Sequence, residues 1–507
     1  MTSKPLRPAA RLRYRLLALA SAAAALAVAP SGARAALVIV LGDGNRATIR
    51  EDPFLSGPAA PLVPEGAVTP ALRSHSLAHE DRRRRRRCEV CTALNRLRSA
   101  GRISVSAYRQ YRMIYRNALA SLRRLHGTRA DEQRAVLENV RQIAAIGLLT
   151  ASRLPAVFAT IERNRQWWTD GPLLSQYQRV EFTGSQLVWE YYPGQGIELH
   201  VLANFGKADG LYAAGPAQYP TLRAMLDELI PLAAKRGGGL AWEYYFRFDG
   251  GAPPWISAMA QATALEALTR AYKAFNDRSY LDLAHVALAV FGVRPPVGVA
   301  VATPLGTRYL QYSFAPGATI LNAFLQTLIG LYDLAHVSGD PLAAGLFTAG
   351  DAQARAEVPG YDTGAWSLYQ PGVEDTLNYH LLVTTFLQSL CARTGAPVYC
   401  RTAAHFTTYL KTPPALALLT RRLRRRAPGS IRFRLSKYAH VGILVVRGRQ
   451  TLLATSAIFG YGIDSFAIPA LPPGLYAIRL AATDLAGNFN RISGMVTVPA
   501  PAPRPKH

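Results

Sequence analysis

The apolar residues of this chain keep one period for some three hundred positions and then change to another, and that switch constrains the fold more than anything else in the sequence. Tyr108, Tyr111, Ile114, Tyr115, Ala118, Leu122 and Leu125 recur at steps of three and four, with arginine on the opposite face. The same period returns in Val136, Val140, Ile143 and Gly147, and again over 154–167. Later faces are formed by Trp255, Met259, Ala262, Leu265, Leu268, Tyr272 and Phe275, and by Ile320, Leu321, Phe324, Leu328, Ile329 and Tyr332. A further one is formed by Leu377, Leu381, Leu382, Phe386 and Leu390, and shorter partners fall at about 279–291, 341–355 and 399–411. After Pro428-Gly429 the period becomes two, in Ile431-Arg432-Phe433-Arg434-Leu435 and in runs near 441–446, 464–468 and 475–482. The spacing predicts a mainly α chain: repeated antiparallel helix pairs forming an (α/α) toroid-like domain over 102–426, a β-sandwich over 427–500, and a tail at 501–507.

The N-terminus reads as an address. Lys4, Arg7, Arg11, Arg13 and Arg15 precede an apolar, alanine-rich run from Leu16 to Val28, and Ala33-Arg34-Ala35 supplies a small-x-small cleavage pattern. Residues 1–35 are expected to be a secretory signal peptide, so the mature protein is expected to be secreted or associated with the cell envelope, without stable membrane insertion. Residues 36–101 read as a low-order basic lead-in of Pro, Gly, Ser and Arg after the short apolar run Ala36–Leu41.

Export changes the meaning of the charge. The net charge is +26, and only 7 of the 58 basic residues are lysine. Two runs stand out, Arg82–Arg87 and Arg421–Arg426, the second broken by Leu423. Inside a cell such runs would suggest nucleic acid; outside it the available polyanions are acidic glycans, so nucleic acid is not expected as a partner. Four cysteines can pair in an oxidising compartment. Cys391 and Cys400 flank a turn at Gly395-Ala396-Pro397 and are expected to form a structural disulfide. Cys88-Glu89-Val90-Cys91 is a CxxC motif with His75 and His79 upstream, but it abuts six arginines and lacks a surrounding βαβ pattern, so no redox or metal role is assigned to it.

Residues 173–212 break the helical pattern, and Trp189-Glu190-Tyr191-Tyr192-Pro193-Gly194-Gln195-Gly196 suggests an exposed loop or short strands. Downstream stand Pro254-Trp255-Ile256-Ser257-Ala258-Met259-Ala260-Gln261, Leu328-Ile329-Gly330-Leu331-Tyr332-Asp333-Leu334, Tyr361-Asp362-Thr363-Gly364-Ala365-Trp366-Ser367-Leu368-Tyr369 and Asn378-Tyr379-His380. With these segments in this order, residues 253–411 resemble the C-terminal catalytic domain of the D-glucuronyl C5-epimerases. The resemblance extends more weakly to Trp189–Tyr212, including Asn204-Phe205-Gly206-Lys207. The stretches Leu471-Pro472-Pro473-Gly474-Leu475-Tyr476 and Asp484-Leu485-Ala486-Gly487-Asn488 resemble bacterial Ig-like domains attached to extracellular enzymes, with Asp484 and Asn488 in a turn rather than on calcium.

The resemblance implies a chemistry. The C5 proton of a uronic acid lies beside a carboxylate, so its removal builds an enolate-like dianion. One group takes the proton, a second returns one to the opposite face, and hydrogen-bond donors hold the extra charge. The family's active-site tyrosines fall on Tyr312, Tyr369 and Tyr379, which are assigned as catalytic on that basis. Gln311, Arg308, Lys207, Asn204, Tyr192 and His380 are assigned to substrate binding, with Glu374 and Asp375 as further acid or base candidates and Asp362 as a loop-fixing cap. Two departures matter. Gln311 stands where the family has its glutamate, and Gly372 stands where an arginine follows the second tyrosine. The expected function is therefore C5 epimerisation of glucuronate residues in an anionic polysaccharide, without cofactor or metal, as an isomerase. Two alternatives stay open: an acidic-glycan-binding protein without catalysis, and a uronate polysaccharide lyase, which begins with the same proton abstraction.

Overall fold

The computed structural model describes residues 35–42, 46–56, 88–425 and 427–500. The leader, His75, His79, the Arg82–Arg87 run, Arg426 and the tail lie outside the described residues.

Among the described residues, twelve α-helices make up most of the first part of the fold: α1 (Glu89–Ser99), α2 (Val105–Ser121), α3 (Gly127–Ala145), α4 (Leu154–Asp170), α5 (Val201–Ala213), α6 (Tyr219–Leu229), α7 (Ala258–Phe275), α8 (Ser279–Ala287), α9 (Leu321–Ser338), α10 (Pro341–Glu357), α11 (Leu377–Thr394) and α12 (Pro397–Tyr409). From α5 onward they come in pairs. α5, α7, α9 and α11 pack side by side as an inner row, and each carries its successor, α6, α8, α10 or α12, on its outer side. The inner helices earn their place by composition: thirteen residues of α7 and twelve of α9 are buried, a pattern only a helix surrounded by protein can satisfy. Small residues allow these two to approach closely. A Cβ on Gly330 would sit 2.3 Å from the carbonyl oxygen of Ala262.

The helix boundaries follow local chemistry. The side chains of Ser257, Asp340 and Thr376 accept hydrogen bonds from free amides in the first turns of α7, α10 and α11. Pro341 and Pro397 occupy first-turn positions, and Gly339 and Gly395 close α9 and α11 in left-handed conformation. The expected disulfide is present: Cys391 and Cys400 join the end of α11 to the start of α12 across that turn, with Cα atoms 4.9 Å apart. Cys88 and Cys91 also form a disulfide, at the N-terminus of α1.

The stretch expected as a low-order lead-in over 36–101 is structured at both ends. Strands Ala35–Leu41 and Ala47–Ser56 join a five-stranded sheet in the order 47–56, 35–41, 179–182, 189–192, 196–199. Strand 35–41 pairs in parallel with 179–182, some 140 residues away, a partnership no local pattern displays. Buried charge locks the sheet to α5. The Lys207 ammonium lies 2.9 Å from Asp52 and 2.8 Å from Glu181, and Arg50 closes the cluster on both carboxylates.

Residues 416–498 form two antiparallel sheets, one of three strands (416–418, 429–435, 462–468) and one of four in the order 450–459, 439–447, 474–484, 489–498. Strict alternation sends Ile431, Phe433 and Leu435 inward against Val441, Ile443, Val445, Tyr476, Ile478 and Leu480, forming a core separate from that of the helices.

Candidate active site

Five pieces of backbone converge at one end of the inner helices. Tyr312 follows the strand Gly306–Tyr309, Tyr369 lies on the hairpin 368–374, and Tyr379 lies in the first turn of α11. The rings of Tyr369 and Tyr379 meet edge to face, with centroids 5.4 Å apart. The Tyr369 phenol and the Gln311 side chain both bear on the Tyr312 phenol and favour its ionised form. The fourth piece is strand Trp189–Tyr192, where a period of two puts Glu190 and Tyr192 on one face. The fifth is the turn 246–251. Phe248 bridges the two halves, its ring 6.1 Å from that of Tyr192 and 5.6 Å from that of Tyr312. Tyr177, in left-handed conformation with φ 62°, packs against Tyr192 with centroids 5.7 Å apart.

Burial dominates the electrostatics of this cluster. It pushes the Tyr312 phenol up to about 12, and Tyr369 and Tyr379 well above the ordinary phenol range. Tyr312 is held back because two donors, Gln311 and Tyr369, stabilise its ionised form. Three carboxylates bear on the phenols. Glu190 raises Tyr192, Tyr244 and Tyr379. Asp249, exposed on its turn, raises Tyr312. Asp375 raises Tyr369 and Tyr379 and is itself pushed up to about 7 by burial. Arg179 donates to Glu190 at 3.1 Å, and the His200 imidazole lies 3.7 Å from the same oxygen.

A family model described as D-glucuronyl C5-epimerase C-terminus matches residues 237–408. The matched region is about a third of the chain. It holds Tyr312, Tyr369 and Tyr379, while Glu190 and Tyr192 lie upstream of it. The D-glucuronyl C5-epimerase of Caenorhabditis elegans is 38% identical over 130 residues, 23% of this chain and 21% of that protein. An uncharacterised protein of Methanocaldococcus jannaschii is 27% identical over 170 residues, 32% of this chain and 55% of the other. The chain thus spans about a fifth and about half of the lengths of these curated relatives. Among solved structures, a cellobiose 2-epimerase from Bacillus thermoamylovorans overlays with a TM-score of 0.34 at 11% identity, covering 50% of this chain and 70% of that one. A sugar epimerase from a ruminal bacterium overlays with the same score at 10% identity, over 50% and 69%.

The structure brings Gln311 and Tyr192 to the tyrosines but takes four other assigned residues elsewhere. Lys207 is buried between Asp52 and Glu181, and Asn204 is fully buried, its side chain bonded to both backbone groups of Val188. Their partners come from distant segments, so a pattern that reads as polar and exposed is in fact interior. Arg308 pairs with Glu357 at the end of α10. His380 is fully buried, stacked on Trp366 at 3.8 Å and bonded to Ser367 and to the Phe406 carbonyl, and burial pushes it down to about 4. These four are structural. Asp362 fixes its loop as expected, accepting from the Gly364 amide, and also binds Tyr409 and His405.

Glu190, Tyr177 and Asp249 were not assigned from the sequence. A signal for Glu190 existed: in Trp-Glu-Tyr-Tyr, strand alternation places it beside Tyr192. Gly372 also has a structural reason. Pro371-Gly372 is the tight turn of the hairpin, with Gly372 at φ 82°, a position that suits glycine and strains any side chain.

Proposed function

We propose that this protein is an exported carbohydrate-active isomerase that inverts C5 of glucuronate residues within an acidic polysaccharide. Its helical part is read as an (α/α) toroid and its C-terminal part as an Ig-like sandwich. The observation that carries the reading is the convergence of Tyr312, Tyr369 and Tyr379 with a second proton-handling group, the Glu190–Tyr192 pair, in a cluster built around the family region.

The chemistry follows from the groups present. A buried phenol near 12 is not a phenolate at neutral pH, so proton removal must be coupled to a second transfer. Tyr192 takes the C5 proton while passing its own phenolic proton to the Glu190 carboxylate. The C5–H electron pair moves into the substrate carboxylate as an enolate. Tyr312, whose ionised form Tyr369 and Gln311 favour, delivers a proton to C5 from the other face, and solvent returns both groups to their starting states. Gln311 cannot act as a base; it serves as a neutral donor, and the negative charge that the family places at this position is supplied by Glu190. The reverse assignment of the two groups describes the reverse reaction.

The test is product analysis. The protein incubated with polyglucuronate or a glucuronate-containing glycosaminoglycan backbone should yield C5-inverted uronate by proton NMR with no loss of chain length. Chain shortening with unsaturated ends would replace epimerisation by elimination. Binding without any change in the sugar would replace it by recognition alone.

A further inference from the structure

The charge of the β-sandwich is one-sided to a degree that the helical part does not share. Residues 412–500 contain twelve basic residues and two acidic ones. Of the two, Asp484 is buried 2.8 Å from Lys437, and Asp464 is half-buried. Among the described residues of this sandwich, every fully exposed formal charge is therefore an arginine.

Six of these arginines lie on one edge segment of the sandwich and on the strand beside it. The segment 416–425 begins as the edge strand of the three-stranded sheet, where Leu419 and Thr420 donate to the Arg432 carbonyl. It then crosses to the edge strand of the other sheet, where Leu423 donates to Thr497, which donates in turn to Arg421. Arg421, Arg422, Arg424 and Arg425 thus lie across the seam between the two sheets, all exposed. On the adjoining strand Arg432 and Arg434 alternate outward, also exposed, while Ile431, Phe433 and Leu435 point into the core.

None of the six guanidinium groups makes a hydrogen bond or ion pair to a described residue. Some arginines of the helices are paired instead: Arg134, Arg165, Arg270 and Arg393 each bind a carboxylate. A row of unpaired guanidinium forks is a receptor for carboxylates, which they bind in bidentate fashion, and its length suits an extended ligand better than a compact ion. Five residues of extended chain, 421–425, reach up to roughly 15 Å.

We propose that this arginine-lined seam is a docking surface for a linear acidic polysaccharide, holding successive uronate carboxylates outside the tyrosine cluster. It rests on the reading of the substrate as a uronate polymer and adds a second contact that retains the chain between turnovers. Short oligosaccharides engage the tyrosine cluster alone; long polymer engages both surfaces.

The experiment compares wild type, the quadruple variant R421S/R422S/R424S/R425S, the double variant R432S/R434S and the cleft variant Y312F. Equal thermal unfolding is checked first, since the replaced side chains are exposed and make no hydrogen bond or ion pair to a described residue. Binding is measured at 50 and 300 mM NaCl to hyaluronan, polyglucuronate, neutral dextran, single-stranded DNA and phosphatidylglycerol vesicles. The expected result is at least tenfold weaker binding of the two uronate polymers by the arginine variants, unchanged binding by Y312F, and attenuation of wild-type binding at high salt. KM for long polymer rises about tenfold in the arginine variants while kcat and turnover of hexasaccharides stay unchanged. Wild-type affinity of the arginine variants for both polymers would overturn the proposal, as would a loss confined to DNA or to vesicles. Polymer binding that depends on the arginines in a protein without C5 chemistry would leave the docking surface standing and remove the epimerase reading instead.

Discussion

Glu190 illustrates how a single buried carboxylate can stand in for a missing one. It sits on a short strand between aromatic residues, held by Arg179, and it is the charge that bears on both Tyr192 and Tyr379. If it accepts the relayed proton, E190Q should lower kcat by about 10²–10⁴-fold in a uronate turnover assay while leaving polymer binding intact. Y312F should do the same from the other side of the reaction. The two losses should not multiply in the double variant, because each already interrupts the same transfer. A second residue-scale prediction concerns pH. Burial raises the Asp375 carboxyl to about 7, with one oxygen bonded to Ser367 and the other unpartnered. A raised carboxyl favours the neutral form in the folded state, so its stabilising contribution is present below about 4 and lost as pH climbs to 7. D375N should therefore match wild type at pH 4 and exceed it at pH 8 by up to about 4 kcal/mol in denaturant unfolding. Part of the acid sensitivity left in that variant is that of His380, which is depressed to about 4 and whose contribution, full above its ordinary value near 6.5, is lost as pH falls. At this scale the sequence exposes Tyr369 and Tyr379, because they sit in motifs, and Tyr312 through the resemblance alone. It conceals the buried partners of Lys207 and Asn204, because Asp52 and Glu181 meet Lys207, and Val188 meets Asn204, only once the strands are folded against the helix.

Among the elements, the inner helices are the most legible and the most constrained. α7 and α9 show their periodicity openly, and their caps and stops are written in Ser257, Gly339 and neighbouring residues. Their mutual approach is fixed at Gly330. G330A would drive a methyl group against the Ala262 carbonyl and should cost about 2–3 kcal/mol, read as a lower unfolding midpoint, whereas alanine at Gly345, an exposed helical glycine of α10, should be neutral or slightly favourable. The N-terminal strands are the opposite case. Val38 and Leu55 are buried, but the sheet they complete is assembled from strands 35–56 and 179–199. Such pairing leaves no trace in a local period, so the segment reads as a lead-in although Ala36, Val38, Leu41 and Leu55 are core. Helix α5 is hidden for a related reason: buried Asn204, Lys207 and Asp209 interrupt its apolar face.

The two parts of the molecule are joined through the site itself. The hairpin that carries Tyr369 ends in Glu374, whose two carboxylate oxygens accept from the Tyr438 amide at 2.9 Å and the Tyr461 amide at 2.8 Å, both in the β-sandwich. Lys437 reinforces this joint, buried against Asp484 while donating to the Tyr409 and Thr412 carbonyls. K437M would leave Asp484 buried without its partner and should cost about 3–5 kcal/mol in unfolding experiments. E374A should be milder for stability but should loosen the Tyr369 hairpin, lowering kcat on hexasaccharide substrates with little change in KM. The sandwich is thus both a brace for the tyrosines and the carrier of the arginine seam, roles that its alternating strands alone do not announce. The central claim remains that the tyrosine cluster moves protons at C5, and the most direct measurement of it is a time course in D2O with a glucuronate polymer, following C5 by NMR and mass spectrometry. The account predicts deuterium at C5 of the inverted uronate ahead of its appearance in recovered glucuronate, with chain length unchanged. Binding of the polymer with no deuterium at C5 at any time would contradict it.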